Sequence, residues 1–310
     1  MNVILPSPEC GDAERRKHIY DGDLLLLPAT GASRHFVDFA CGMLEAAFGE
    51  YDPRRAQWHM PVQVFHGIFA PLKPAFIHHP RSWGLIADML KDLGCDPETT
   101  YLDVPRLRVS TSHNYLTSGV AYAHHPHRDT WYSAPMCQIN WWMPLYTFTA
   151  ENGMAFHPRY WREAVQNDSD LFNYYDWNSS QRKNAAQHVT SDTRWQPHAL
   201  NPLQLEPDLR VICPPNTALL FSAAQLHSTV PNTSGFSRYS VDFRTVDSDD
   251  VKARRGAFNV DSRPSGTSLR DFKRISDGAR LPEDLVAPYD SGLPQGQALV
   301  YEPVSVGSEP

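Results

Sequence analysis

Apolar residues recur at every third or fourth position in two stretches near the N-terminus of the chain. In residues 33–49 this spacing predicts a helix that Ser33 caps and Gly49 ends. The same spacing over residues 82–93 predicts a second helix, and Gly94 follows its last apolar position. The first third of the chain is therefore expected to add helices to the fold.

From about residue 104 the pattern changes to short apolar runs that are broken by Pro, Gly and Asn, which is typical of strands. These runs do not alternate with helical segments, so a sandwich or jelly roll is favoured over a parallel sheet. The predicted strands are 106–111, 120–126, 137–146, 153–157, 209–213, 217–222 and 237–246. We therefore expect a mainly β fold with flanking α-helices.

One domain is expected to span the whole chain, because all-β units often exceed 200 residues. A long polar and aromatic insertion interrupts the strand series, and loops of this length are typically lids or binding loops. Short helices are predicted near 159–166 and over 268–276. The predicted regions of the single domain 1–310 are N-terminal additions at 1–103, the core at 104–246 with its insertion at 159–205, and a C-terminal extension at 247–310.

The composition is typical of a folded protein and excludes one class of partner. Of the 310 residues 41% are hydrophobic, and 8 Trp, 13 Tyr and 14 Phe can fill a core and line a pocket. The formal charge is -7, and the longest basic run is Arg15-Arg16-Lys17, so no surface that follows a phosphate backbone is expected. Nucleic acid is therefore not an expected partner.

Membrane association and disulfide bonding are not expected either. The apolar run Leu24–Leu27 is far too short to span a membrane, and the N-terminus lacks the pattern of a secretory signal. The five cysteines are scattered without a Cys-x-x-Cys pair, which favours reduced, buried thiols over disulfides or a thiolate zinc site. A soluble, cytoplasmic protein is expected.

Three residues carry the most specific chemistry in the sequence. His127 and Asp129 are two positions apart, so on a strand both side chains point to the same side. His227, from a later antiparallel strand, can complete two imidazoles and one carboxylate on one face, the ligand set of a non-haem ferrous site. Two alternatives stay open: His227 caps a strand end and binds nothing, or His124 or His125 replaces a ligand instead of forming the pocket wall.

Four separated motifs resemble the phytanoyl-CoA hydroxylase-like branch of the Fe(II)/2-oxoglutarate-dependent dioxygenases. They are His127-Arg128-Asp129 with Tyr132, Glu151-Asn152-Gly153 followed by Pro158, His227-Ser228-Thr229, and Arg238. The resemblance covers roughly residues 105–246 and implies a double-stranded β-helix of the jelly-roll, cupin-like type. It implies Fe(II) on His127, Asp129 and His227. It also implies 2-oxoglutarate as cosubstrate, with its distal carboxylate on Arg238.

The physical chemistry of arginine supports the role that the resemblance gives to Arg238. A planar guanidinium is always charged and grips a carboxylate through two parallel hydrogen bonds. Thr229 faces the same way as His227 and can donate its hydroxyl to the same carboxylate. Arg244 is the rival anchor, because it shares a strand face with Arg238, but we expect it to pair with Asp242 or a surface acid.

The remaining predicted site residues lie next to these motifs. Gln138, Asn140 and Trp142 alternate on one strand face, so either amide can bond the cosubstrate or the substrate while Trp142 forms a wall. A tryptophan in a strand is more often part of the core. Trp131 and Tyr132 follow Asp129 directly and are predicted to contact the substrate.

Together these features predict an oxygenase that hydroxylates or otherwise oxidises a C–H bond of a small-molecule metabolite, using O2 and giving succinate and CO2. In related halogenases Gly or Ala stands at the position of Asp129, so an intact carboxylate favours hydroxylation. The chain departs from many relatives at Pro158-Arg159-Tyr160-Trp161, so a CoA thioester is not inferred as the substrate. The alternatives are a cupin-like metal dioxygenase without 2-oxoglutarate and a non-catalytic jelly-roll binding protein.

Overall fold

The computed structural model describes residues 1–7, 9–181 and 187–290. Part of the predicted insertion, 182–186, and the end of the predicted extension, 291–310, lie outside the described residues. Within the described ranges no helix is long and apolar enough to cross a membrane. The helices are α1 Asp12–Tyr20, α2 Gly31–Phe48, α3 Val62–His78, α4 Pro80–Asp92, α5 Tyr174–Asp176, α6 Ser248–Ala253 and α7 Glu283–Val286.

Two of these helices were predicted from their periodicity. α2 begins two residues earlier than expected, because Thr30 is the N-cap and Ser33 completes a capping box with it. Gly49 ends the helix with φ 63°, a conformation that glycine adopts without strain. α4 begins at Pro80, with the His79 side chain accepting a hydrogen bond from the Arg81 amide.

The helix α3 was not predicted, although its buried residues Phe65, Phe69, Leu72 and Phe76 follow helical spacing. Pro71 and Pro74 lie inside it, and prolines normally end or kink a helix. Burial of the aromatic face against α2, α4 and β4 offsets the two missing amide donors. This helix matters for the site because its other face lines a cavity.

The strands form one large and one small sheet. Their bounds are β1 Val3–Ile4, β2 Leu24–Leu27, β3 Thr100–Leu102, β4 Arg106–Ser110, β5 Ile139–Pro144, β6 Met154–Phe156, β7 Ala218–Ser222, β8 His227–Thr229, β9 Arg238–Asp247 and β10 Lys273–Arg274. The large sheet has the order β1-β2-β7-β5-β9-β3-β10, and β4 also pairs with β9. The small sheet consists of β6 and β8, which run antiparallel. Sheets with flanking helices are therefore present, as expected, and β1 with β2 is the one parallel pair among the strands of the described residues.

Two predicted strands are wrong. Residues 120–126 form the end of a 3-10 turn, Gly119–Ala121, followed by irregular chain, and most of them line a cavity. Residues 209–213 form no strand and make a single bridge, Phe156 with Leu209. The predicted helices near 159–166 and 268–276 shorten to the 3-10 turns Pro158–Trp161 and Ser268–Asp271.

The large sheet separates the main core from the site. Ile139, Trp141 and Met143 of β5 pack with α2, α3 and α4 in the largest buried cluster, together with Tyr239 and Val241 of β9. The alternate residues of both strands point to the opposite face and line a cavity. Strand alternation thus supplies an apolar face for stability and a polar face for chemistry.

Candidate metal centre

A short antiparallel backbone bridge brings His127 and His227 together. The amide of each residue donates to the carbonyl of the other at 3.0 Å, and the centres of the two imidazole rings are 4.4 Å apart. Both side chains are buried. Two backbone hydrogen bonds thus join residues that are 100 positions apart in sequence, and the rings face the same space.

Asp129 joins the histidines by a different route from the one predicted. Residues 127 and 129 do not share one strand, because Asp129 begins the 3-10 turn Asp129–Tyr132. The turn nevertheless brings the carboxylate Oδ1 to 3.4 Å from His127 Nε2. One ligand atom from each of His127, Asp129 and His227 lies within 4.8 Å of the others, and no other such trio of His, Cys, Asp or Glu occurs in the described ranges.

The hydrogen bonds around the trio leave the correct atoms free for a metal ion. His127 Nδ1 contacts the His125 carbonyl at 2.8 Å, and His227 Nδ1 contacts the Gln225 carbonyl at 3.0 Å. A carbonyl only accepts, so each Nδ1 carries the proton and each Nε2 presents a lone pair. Two neutral imidazoles and one carboxylate fit the ligand set of a ferrous ion.

Burial and neighbouring groups set the protonation states of His227 and Asp129. Burial lowers the pKa of His227 to about 3, so the ring is neutral near pH 7. For Asp129, burial raises the pKa, but the adjacent His127 side chain and the charge of Arg244 outweigh it and hold the pKa well below its ordinary range. Asp129 is therefore ionised.

Arg128, between the two motif ligands, fixes the loop that carries them. Its fully buried guanidinium donates to Asp261, at 3.0 Å from Nε to Oδ1, and to the carbonyls of Ala224 and Tyr160, each at 2.6 Å. Asp261 also accepts from the Trp131 indole at 2.8 Å. One arginine thus ties the ligand loop to the turn between β7 and β8, to the insertion and to the C-terminal segment.

A cavity of about 940 Å³ opens onto the three ligands. Polar face residues of β4, β5 and β9 line it, together with one face of α3 and part of the insertion. The insertion residues that line it are Phe172, Tyr174, Trp177, Asn178, Arg194 and Gln196. The predicted role of the insertion as a binding loop therefore agrees with its position.

Arg238 lines the cavity and forms no ion pair with a carboxylate of the described residues. Its guanidinium carbon lies 5.3 Å from the centre of the Trp142 ring, and its Nη1 donates to Ser240 Oγ at 3.4 Å. Its buried Nε has no hydrogen-bond partner among the described residues. Burial lowers the pKa of Arg238 to about 10, and the more distant charge of Asp242 opposes this shift. An anion in the cavity would satisfy this group.

Arg244, the rival anchor, is already surrounded by carboxylates. Its guanidinium lies 3.6 Å from each of Asp103, Asp129 and Asp242. Burial lowers its pKa, but these three carboxylates outweigh burial and raise the pKa above its ordinary value. The expected pairing with Asp242 is present, and the contact with Asp129 gives Arg244 a position beside a metal ligand.

The other predicted cosubstrate contacts lie on the cavity wall. Gln138 Nε2 donates to Asn140 Oδ1 at 2.9 Å, and both side chains line the cavity. The Asn140 amide nitrogen is therefore the free donor of this pair within the described residues. Thr229 Oγ1 accepts from the His124 amide at 3.1 Å, which leaves its hydroxyl proton available to a ligand.

Of the three predicted substrate contacts, two line the cavity and one does not. Tyr132 stacks edge-on against His127, with ring centres 5.6 Å apart, and Trp142 lies under Arg238. Trp131 is fully buried in a cluster with Tyr160, and its indole is held by Asp261. The prediction for Trp131 needs correction: the 3-10 turn rotates successive side chains by about 120°, so neighbours of Asp129 do not all face the metal.

His124 and His125 lie at the cavity wall, as predicted for residues beside the ligands. His125 Nε2 contacts the Pro197 carbonyl at 2.9 Å, and the His124 ring lies 5.1 Å from the His127 ring. The sequence interpretation missed the cavity residues Lys73, Arg108 and Arg194. Arg108 lies between the apolar residues Leu107 and Val109 of a predicted strand, and this alternation could have predicted that it faces the cavity. Lys73 belongs to α3, which was not predicted.

No protein-family model matches the chain, and no curated protein sequence matches it. Several solved structures are similar to the chain at low identity. EvdO2 from Micromonospora carbonacea var. aurantiaca, complexed with 2-oxoglutarate, is 14% identical over 79% of this chain and 93% of its own, with a TM-score of 0.43. The non-heme alpha ketoglutarate dependent carbocyclase SnoK from nogalamycin biosynthesis is 13% identical over 91% and 98%, with a TM-score of 0.40. Such values do not assign a reaction to this chain.

Proposed function

We propose that the protein is an Fe(II)- and 2-oxoglutarate-dependent oxygenase that oxidises a C–H bond of a small-molecule substrate. One observation carries the proposal: His127, Asp129 and His227 present three ligand atoms within 4.8 Å on the wall of a cavity that also contains Arg238, which has no ion-pair partner among the described residues. We further propose that the two sheets form a double-stranded β-helix and that residues 1–310 are one domain.

Each group in the cavity has a defined task in this proposal. His127, Asp129 and His227 would hold the ion, and Arg238 with Thr229 would hold the distal carboxylate of 2-oxoglutarate. Ferrous iron and 2-oxoglutarate, when bound, supply the power to oxidise an unactivated C–H bond with O2, giving succinate and CO2. The protein's own tasks are to fix the ligands, place the target carbon and exclude water, and no general base is needed.

The side chains that surround the trio suit these tasks. Asn140 offers an amide donor, and Tyr132 and Trp142 offer aromatic surface that keeps water out. With a metal ion bound, the ionised Asp129 would take the coordination position that a halide would need, so hydroxylation or a related oxidation is favoured over halogenation. EvdO2 is described as complexed with 2-oxoglutarate, and SnoK is described as alpha ketoglutarate dependent.

The alternatives differ in what they leave unexplained. A cupin-like dioxygenase without 2-oxoglutarate would leave the buried Arg238 with no anion, and a non-catalytic binding protein would need no open coordination positions. Succinate formation separates the three. We expect the purified protein with added Fe(II), 2-oxoglutarate and O2 to form succinate, slowly without substrate and faster with a suitable metabolite. A metal-dependent oxidation without succinate would favour the first alternative.

Replacing Arg238 with methionine is expected to raise the Kd for 2-oxoglutarate by about 10- to 100-fold, since charge-assisted hydrogen bonds contribute about 1.5–3 kcal/mol. Calorimetric titration of 2-oxoglutarate into the Ni(II)-loaded protein measures this effect without turnover. Arg244→Met is the matched comparison and should change the Kd less, because its guanidinium already contacts Asp103, Asp129 and Asp242. The reverse order would transfer the anchor to Arg244.

A further inference from the structure

The wall of the cavity opposite the strands is one face of α3. Ala70, Lys73, Pro74 and Ile77 follow helical spacing and all line the cavity. Three of the four side chains are apolar, so Lys73 is the only charged group on this face. A lysine in such a position places a point charge at the edge of an otherwise apolar wall.

The ammonium of Lys73 has little to neutralise it. Its Nζ donates to the Val120 carbonyl at 2.8 Å and lies 5.8 Å from the centre of the Phe69 ring. Within the described part of the chain no carboxylate lies within 4.0 Å of it. Burial lowers the pKa of Lys73 to about 7, and the charge of Arg108 acts in the same direction, while Asp242 opposes both.

The other basic residues of the cavity, Arg238 excepted, have acidic partners. Arg106 contacts Asp103 at 2.7 Å, Arg108 contacts Asp242 at 2.6 Å, and Arg194 contacts Asp192 at 2.6 Å. Arg244 lies beside Asp129 at 3.6 Å. Two cations therefore remain for ligands. The proposed function uses Arg238 for 2-oxoglutarate and leaves Lys73 without a task.

We infer that Lys73 is the docking point for a carboxylate of the primary substrate, an organic acid with an apolar or aromatic body. The inference rests on the proposed function, which assigns Arg238 to the cosubstrate. A single ammonium matches a singly charged carboxylate, whereas a phosphate ester is usually held by several donors. The aromatic side chains of Tyr132, Phe172 and Trp177 line the same cavity and can cover the body of such an acid.

The test uses benzoate as the probe and benzamide as its neutral counterpart. Binding is measured by saturation-transfer NMR on the full chain, loaded with Zn(II) and saturated with 2-oxoglutarate so that Arg238 is occupied. The variants are Lys73→Met, Lys73→Arg and, as the matched control, Lys252→Met at an exposed lysine of α6. Thermal melts and 2-oxoglutarate binding confirm that each variant is folded.

We expect Lys73→Met to weaken benzoate binding by about tenfold or more, because it removes a charge-assisted hydrogen bond. Lys73→Arg should restore most of the affinity, and Lys252→Met should have none of this effect. Benzamide should bind equally to all forms. If Lys73→Met does not fold, benzoate should still protect Lys73 of the natural chain from acetylation by acetic anhydride, and benzamide should not.

Three results would overturn the inference: equal binding of benzoate by the natural chain and Lys73→Met, no preference of the natural chain for benzoate over benzamide, or absence of benzoate binding. Tighter binding of phenyl phosphate than of benzoate would overturn the carboxylate assignment. If the proposed function is wrong, the natural chain will not bind 2-oxoglutarate. The comparison of benzoate with benzamide, repeated without metal and 2-oxoglutarate, will still test the role of Lys73.

Discussion

Asp129→Ala is expected to reduce iron-supported succinate formation by more than about 100-fold, since even the loss of a residue that only supports a metal ligand costs about 10- to 100-fold. The variant keeps both imidazoles but loses the anionic ligand, so the site holds a divalent ion poorly. Succinate is measured with Fe(II) and 2-oxoglutarate at saturating concentrations for the natural chain, and the bound iron of each protein is measured separately.

Glu151→Ala is the matched control, because Glu151 is an exposed carboxylate in a turn outside the cavity lining. It should leave both succinate formation and iron content unchanged. Undiminished turnover by Asp129→Ala would remove Asp129 from the ligand set. A loss of turnover with full iron binding would show that the carboxylate acts in another way.

Arg128 is expected to contribute strongly to the stability of the fold. Arg128→Met is expected to lower the free energy of unfolding by about 3–5 kcal/mol, because it leaves the buried carboxylate of Asp261 without its cation. Urea denaturation of the metal-free protein measures this loss. This measurement requires no turnover and reports on the contacts of Arg128 with Asp261 and with the carbonyls of Ala224, Tyr160 and Glu163.

An exposed ion pair on the surface gives the matched comparison for Arg128. Arg159 pairs with Glu163 at 2.9 Å, and about half of each side chain is exposed, so Arg159→Ala should not measurably change the unfolding free energy. Replacing Arg128 and Asp261 together by apolar residues should cost less than Arg128→Met alone, because no unpaired charge remains. A loss below about 1 kcal/mol for Arg128→Met would show that Asp261 stays solvated.

The parts of the fold that the sequence predicted are those with long, regular patterns. α2 and α4 show helical periodicity, and β5 and β9 are long enough for alternation to be recognised. The same alternation correctly separated the cavity face of these strands from the core face. The ligand trio was also predictable, because its spacing and residue types are specific even though two of its members lie 98 residues apart in sequence.

Other features depend on contacts that a sequence pattern does not reveal. α3 contains Pro71 and Pro74, and its helical form depends on tertiary burial of its aromatic face. The strands β1, β3 and β10 have only two or three residues, too few for a period to appear. Arg128 finds its partner Asp261 only after folding. These interactions require the three-dimensional arrangement.

An anaerobic titration of Fe(II) and then 2-oxoglutarate, followed by visible absorption, tests the proposed metal centre most directly. We expect one ferrous ion per chain and, on addition of 2-oxoglutarate, a metal-to-ligand charge-transfer band that His227→Ala abolishes and Arg238→Met moves to higher 2-oxoglutarate concentration. Absence of the band in the natural chain, or an identical band in His227→Ala, would contradict the claim that His127, Asp129 and His227 bind iron beside 2-oxoglutarate.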